Sequence, residues 1–215
     1  MREGSPQALE GAGGGRGGRR SSGVVLTTER LTLREAAPVD AGFVVELLND
    51  GAFVANIGDR GVRTHGDAVR YIAERMTASY RAHGFGMWIA ERRSDVAPIG
   101  VCGIVRREGL EHPDLGYALL PAFRGQGYAS EAAAAVLRFG REELALPVLL
   151  AIVSRQNTAS VRVLEKIGFA QSGKSSMPGG EEVLVFTAPS PSAPTRSPGS
   201  AGGAGGEQTR EEKGA

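Results

Sequence analysis

Apolar residues recur along this chain at two spacings, and the switches between them mark the elements. Leu31-Thr32-Leu33-Arg34 alternates and predicts a first strand. Pro38-Val39-Asp40 opens a helix through Leu48, with Phe43, Val44, Leu47 and Leu48 at helical spacing. Asn49 to Thr64, with Gly51, Gly58 and Gly61, predicts a loop with a short turn. From His65-Gly66-Asp67, the residues Val69, Ile72, Ala73, Met76 and Tyr80 share one face of a second helix, which Gly84 ends. Phe85 to Glu91 and Pro98 to Arg106 predict two antiparallel strands joined by a polar turn, Arg92 to Ala97. After the Arg107 to Pro113 turn, Asp114 to Leu120 predicts another strand, and an Ala-rich helix runs from Gly127 to about Leu144. Val148 to Val153 is wholly apolar and predicts a central strand buried on both faces. Asn157 caps a helix over Thr158 to Lys166, Gly168 stops it, and Glu182 to Thr187 forms a last strand. The order β-α-α-β-β-β-α-β-α-β, without internal repeats, is that of an α/β (α+β) domain.

Composition trims the 215 residues to one domain. Residues 1–23 hold eight glycines and four arginines, and residues 189–215 are rich in Pro, Ser, Gly and Ala. Neither end has the apolar surface to offset the entropy of ordering, about 1–2 kcal/mol per residue for the backbone, so both are expected to be disordered. Residues 24–188 form the domain, whose charge of −1 argues against specific nucleic-acid binding. The tail at 1–23 carries +2, which allows a weak contact with RNA or ribosomes through that segment. Cys102 stands alone in an apolar strand and reads as a packing residue. The three histidines (65, 83 and 112) are too scattered for a metal site, and Trp88 reads as a packing group. No apolar run nears the roughly 20 residues of a membrane span and no secretory leader is visible, so a cytoplasmic protein is expected. Monomer and homodimer both remain open.

The candidate chemistry lies at Leu119-Leu120-Pro121-Ala122-Phe123-Arg124-Gly125-Gln126-Gly127-Tyr128-Ala129. A strand runs through an Arg/Gly turn into a helix, which leaves backbone N–H groups uncovered at a helix N-terminus: a cradle for phosphate or pyrophosphate. A P-loop needs Gly-Lys-Ser/Thr, which is absent. A dinucleotide site needs a third glycine and an acid ending the next strand, and that strand ends Val153-Ser154-Arg155. An Arg/Gly turn without a ligand is the bland alternative.

The spacing Arg124-x-x-Gly127-x-Ala129 resembles the phosphate-binding signature of the GNAT superfamily of acetyl-CoA-dependent N-acetyltransferases. Leu31 to Arg34, Leu115 to Pro121, Arg124 to Ala132 and Asn157 to Phe169 resemble its RimJ/RimL branch, the ribosomal-protein-alanine acetyltransferases, in the right order. The resemblance implies a mixed, mostly antiparallel sheet splayed into a V and flanked by helices. It implies acetyl-CoA as cosubstrate, with no metal, and an amine acceptor, either a protein N-terminus or a small amine.

By that resemblance, the backbone of Ala118, Leu119 and Leu120 pairs with the pantetheine arm. The N–H groups of Arg124, Gly125, Gln126, Gly127, Tyr128 and Ala129 bind the pyrophosphate, and Asn157 and Ser160 point toward the thiol. A strand bulge near Leu119 would supply the oxyanion donor. Many relatives carry a tyrosine acid where this chain has Leu164, so Ser160 or water is expected to serve the leaving thiolate. Asp114 is the expected base, with Glu91, Glu108, Glu111 and His112 as rivals, although each taken singly reads more readily as a solvated surface charge. A catalytically weak acyl-CoA-binding or regulatory module is the alternative function.

Overall fold

The computed structural model describes residues 23–176, 180 and 182–189. The tails expected to be disordered therefore lie outside the described residues, except at Gly23 and Pro189. The strands are β1 (Val24–Thr27), β2 (Leu31–Arg34), β3 (Met87–Arg92), β4 (Ala97–Val105), β5 (Asp114–Leu119), β6 (Leu150–Ser154), β7 (Ala170–Ser176) and β8 (Glu182–Thr187). The helices are α1 (Ala41–Leu48), α2 (Gly51–Ile57), α3 (His65–Tyr71), α4 (Ala78–His83), α5 (Tyr128–Glu142) and α6 (Thr158–Lys166). A π-helical segment, Ile72–Thr77, joins α3 to α4, so the second predicted helix is continuous but changes its winding midway.

The strands form one mixed, mostly antiparallel sheet in the order β1-β2-β3-β4-β5-β6-β8-β7. Among the described strands only β5 and β6 run parallel, and their register pairs Asp114 with Leu150 and then stops. Beyond that bridge the two strands part, and the sheet opens. Helix α5 packs over β4 and β5, with Phe139 edge-on to Trp88 at 5.5 Å between ring centres. Cys102 is fully buried in β4, and burial pushes its thiol well above the ordinary range, so it packs rather than reacts.

Four elements depart from the sequence reading. β1, a four-residue edge strand half-buried at Val25 and Leu26, and β7, a polar edge strand, have no counterpart in the predicted order, and α2 lies inside the predicted Asn49–Thr64 loop, capped by Asp50, whose carboxylate accepts from the Phe53 N–H at 3.1 Å. β6 is not buried on both faces: Ala151 and Val153 are buried, whereas Leu150 and Ile152 are half-buried beside the opening in the sheet.

One ion network fixes the entry into α1. Arg34 grips Asp40 through both terminal nitrogens (2.7 and 2.8 Å) and Glu91 through Nε (2.7 Å). Glu91, a rival candidate base, is therefore a structural partner. Burial works to raise the Asp40 pKa, but Arg34 and the Ala37 N–H outweigh it and hold it below the usual range. Asp40 thus contributes stability above about pH 4, which is lost as pH falls through its lowered pKa. Asp40→Ala removes two charge-assisted bonds from Arg34 while leaving its pair with Glu91, and is expected to cost about 1.5–3 kcal/mol in urea unfolding.

Candidate active site

Two cavities meet where β5 and β6 part. The smaller, about 530 Å³, runs from the β5–α5 turn along α6; the larger, about 770 Å³, lies among α1, α2, the α3–α4 helix and β5.

The smaller cavity begins at the predicted cradle. Gly125 (φ +73°) and Gly127 (φ +84°) hold left-handed backbone, which L residues with a Cβ rarely adopt. Gly127 is the N-cap of α5 and has no side chain to satisfy the first-turn donors, so the N–H groups of Tyr128, Ala129 and Ser130 remain for an anion. Arg124, Arg162 and Lys166 line this cavity, and among the described residues no carboxylate does. A polyphosphate fits that lining. Arg162 and Lys166 were missed in the sequence, although they stand one helical turn apart on α6.

The cradle's own residues divide. Arg124 is not free to bind phosphate: its N–H donates to the Pro121 carbonyl (3.2 Å), its Nε to the Leu119 carbonyl (2.9 Å), and its Nη2 pairs with Asp50. It straps α2 to the turn. Gln126 also serves the turn, with its amide donating to the Ala122 carbonyl at 2.7 Å and its own carbonyl accepting from Arg30 at 3.0 Å. Arg30 stacks over the Tyr128 ring at 4.4 Å and pairs with Glu131 at 2.7 Å, holding the start of α5 from outside.

Strand register decides which backbone groups face the opening. Leu120 N–H donates to Ile99 of β4 at 2.9 Å, and alternation sends the backbone groups of Ala118 to β4 as well. The same alternation turns the N–H groups of Tyr117 and Leu119 toward the gap. Of the expected pantetheine-pairing backbone, Leu119 alone therefore faces it, with its carbonyl already taken by Arg124. The expected bulge is absent, because β5 keeps regular register with β4 from Asp114 to Leu119. Leu119 N–H faces the gap through ordinary alternation.

Asn157 caps α6, its Oδ1 accepting from the Ser160 N–H at 3.1 Å, which leaves its amide nitrogen for a ligand. Asn157, Ser160 and Tyr117 border both cavities, and the Tyr117 hydroxyl donates to the Ser160 carbonyl at 3.1 Å. Leu164 is a core residue, 1% exposed.

Among the candidate bases, Asp114 alone lines the larger cavity. It is not a solvated surface charge: it is 1% exposed, and both carboxylate oxygens accept from Arg107 Nε, at 2.9 and 3.0 Å. Burial raises its pKa, against the opposing pull of Arg107. Glu111 and His112 pair loosely with each other outside the cavity (3.9 Å), and Glu108 does not line it either. Arg107 carried no signal in the sequence beyond lying in the turn before β5.

The parted sheet thus sets an uncapped helix N-terminus and a cationic cavity on one side and a buried carboxylate on the other. The model of the acetyltransferase (GNAT) domain family matches residues 30–170. The chain belongs to that family, whose members use acetyl-CoA. The uncharacterized N-acetyltransferase YnaD of Bacillus subtilis is 31% identical over 159 residues, covering 73% of this chain and 90% of that protein. The crystal structure of an acetyltransferase from Agrobacterium tumefaciens superposes with TM-score 0.65 at 26% identity, over 85% of this chain and 98% of that one. RimL, a ribosomal L7/L12 α-N-protein acetyltransferase, shares the fold with TM-score 0.64 at 16% identity, over 76% and 92% of the two chains. Among the described residues no group of His, Cys, Asp or Glu is placed to hold a metal ion, and no helix is long and apolar enough to cross a membrane.

Proposed function

We propose that this protein transfers an acetyl group from acetyl-CoA directly to an amine held in the larger cavity. The acceptor is a protein N-terminal α-amine, as in the RimJ/RimL branch, or a small amine. The observation that carries this reading is the continuity of the two cavities at the β5/β6 gap, with phosphate-binding features on one side and Asp114 on the other. Leu119 N–H meets the developing oxyanion, Asp114, about 16 Å down the same strand, takes the amine's proton through intervening water, and Asn157 and Ser160 hold the pantetheine end. The pyrophosphate lies on the N–H groups of Gly125 to Ala129. An α-amine near pH 7.8 is about one-tenth neutral at pH 7, whereas lysine, near 10.4, is below one part in a thousand. A single buried carboxylate therefore suits an α-amine better.

The test is calorimetric binding of acetyl-CoA, followed by thiol release across N-terminal peptides and small amines. Binding with release on α-amines is expected. No binding at millimolar acetyl-CoA would sink the reading, and binding without release on any amine would favour a regulatory acyl-CoA-binding module.

A further inference from the structure

Where the two cavities meet, the shared wall holds four protic side chains: Asn56, Tyr117, Asn157 and Ser160. Asn56 turns its amide back onto the Ala52 carbonyl of its own helix at 2.8 Å, and the Asn157 oxygen is committed to the α6 cap. Tyr117 is different. Successive residues of β5 point to opposite faces, so Tyr117 lies on the face away from Asp114, toward α6 and the donor cavity. Its hydroxyl donates to the Ser160 carbonyl, an acceptor in the first turn of α6 that also serves the helix's own ladder. Swinging away from that carbonyl loses one neutral hydrogen bond and orphans no buried acceptor.

We propose that Tyr117 is a catalytic residue of the transfer, its hydroxyl leaving the Ser160 carbonyl to donate a hydrogen bond to the departing sulfur. The inference rests on the acetyl-CoA reading above. The N–C bond forms, the C–S bond breaks with its electron pair passing to sulfur, the amine proton passes through water in the larger cavity to Asp114, and sulfur gains its proton from water after release. Magnitudes favour hydrogen bonding over proton transfer. Burial pushes the Tyr117 phenol up to about 12, whereas an ordinary thiol titrates near 8.5, so the proton stays on oxygen throughout. A neutral phenol beside a thiolate makes a charge-assisted bond.

The test uses coenzyme A itself as probe. The thiol of bound coenzyme A, followed by thiolate absorbance, is expected to titrate about one unit lower in wild type than in Tyr117→Phe, at equal coenzyme A affinity. Turnover of a peptide acceptor falls about 10- to 100-fold in the variant with KM for acetyl-CoA unchanged. Replacing Tyr117 with 3-fluorotyrosine, which keeps shape and acidifies the phenol, lowers the bound thiol's pKa further. An unchanged thiol titration in Tyr117→Phe, or a loss of coenzyme A affinity that accounts for the whole loss of rate, overturns the proposal. If Tyr117→Phe does not fold, an unmoved titration with 3-fluorotyrosine overturns it equally. Failure of wild type to bind coenzyme A would overturn the acetyl-CoA reading as well, an outcome separate from either variant result.

Discussion

Asp114→Asn is expected to lower kcat about a hundred- to ten-thousandfold while leaving acetyl-CoA affinity unchanged. The substitution keeps the shape and an oxygen for Arg107, which donates to Asp114 at 2.9 and 3.0 Å, but it removes the proton acceptor. Burial raises the Asp114 pKa above the usual carboxylate value, with Arg107 opposing. Two consequences follow with definite sign. The acid limb of kcat/KM in wild type lies above pH 3.8 and vanishes in the variant. Removing the opposing cation in Arg107→Gln moves that limb to higher pH. For stability, a carboxyl whose folded pKa exceeds its unfolded value binds more protons when folded, so stability falls as pH rises through the folded pKa. At neutral pH the ionised Asp114 is thus a net cost, and Asp114→Asn should not lower the thermal midpoint. Full activity in the Asp114→Asn variant would show that the amine loses its proton elsewhere. A variant that loses activity and fold together would make Asp114 structural.

The same residue shows where sequence reading runs out. Asp114 stands beside charged turn residues and, like each of them, reads more readily as a solvated charge than as a base. Its burial goes with the β4–β5 hairpin, which folds Arg107 back onto it. Arg124 fails in the opposite direction. Its motif position suggested a phosphate ligand, yet its guanidinium is held by Asp50, 74 positions away, on a helix that read as loop. The α6 cap and the positive-φ glycines at 84, 125, 127 and 168 were legible because short-range backbone chemistry fixes them. The order of the larger elements was legible too, because apolar spacing records which face is buried. β7 (Ala-Gln-Ser-Gly-Lys-Ser-Ser) carries no such record, and its pairing with β8 is a backbone matter. Tyr117 read as one residue of a family motif. Its place on a wall between two cavities exists only once β5 and β6 part.

Gly127→Val is expected to weaken acetyl-CoA binding at least about 100-fold, far more than Gly125→Ala, although both sites hold left-handed backbone. A β-branched residue at φ +84° is strained in any surroundings. At Gly127 the surroundings add to it, because a Cβ there meets Arg30 Nη2 at 3.3 Å. Arg30 cannot retreat without loss: it donates to the Gln126 carbonyl, pairs with Glu131 and stacks over Tyr128. Displacing it loosens the turn and re-aims the first-turn N–H groups that converge on the pyrophosphate. At Gly125 nothing lies within 4 Å of a new Cβ, so Gly125→Ala carries backbone strain alone, and a loss of about tenfold or less is expected. Calorimetry with acetyl-CoA measures the order, and S-acetylpantetheine, which has the thioester arm without phosphates, separates the causes. If the turn is a phosphate cradle, Gly127→Val and wild type bind S-acetylpantetheine equally weakly while differing widely on acetyl-CoA. Equal losses on both compounds would mean that the substitution disturbs the β5/β6 gap, and that phosphate affinity comes from Arg162 and Lys166 instead.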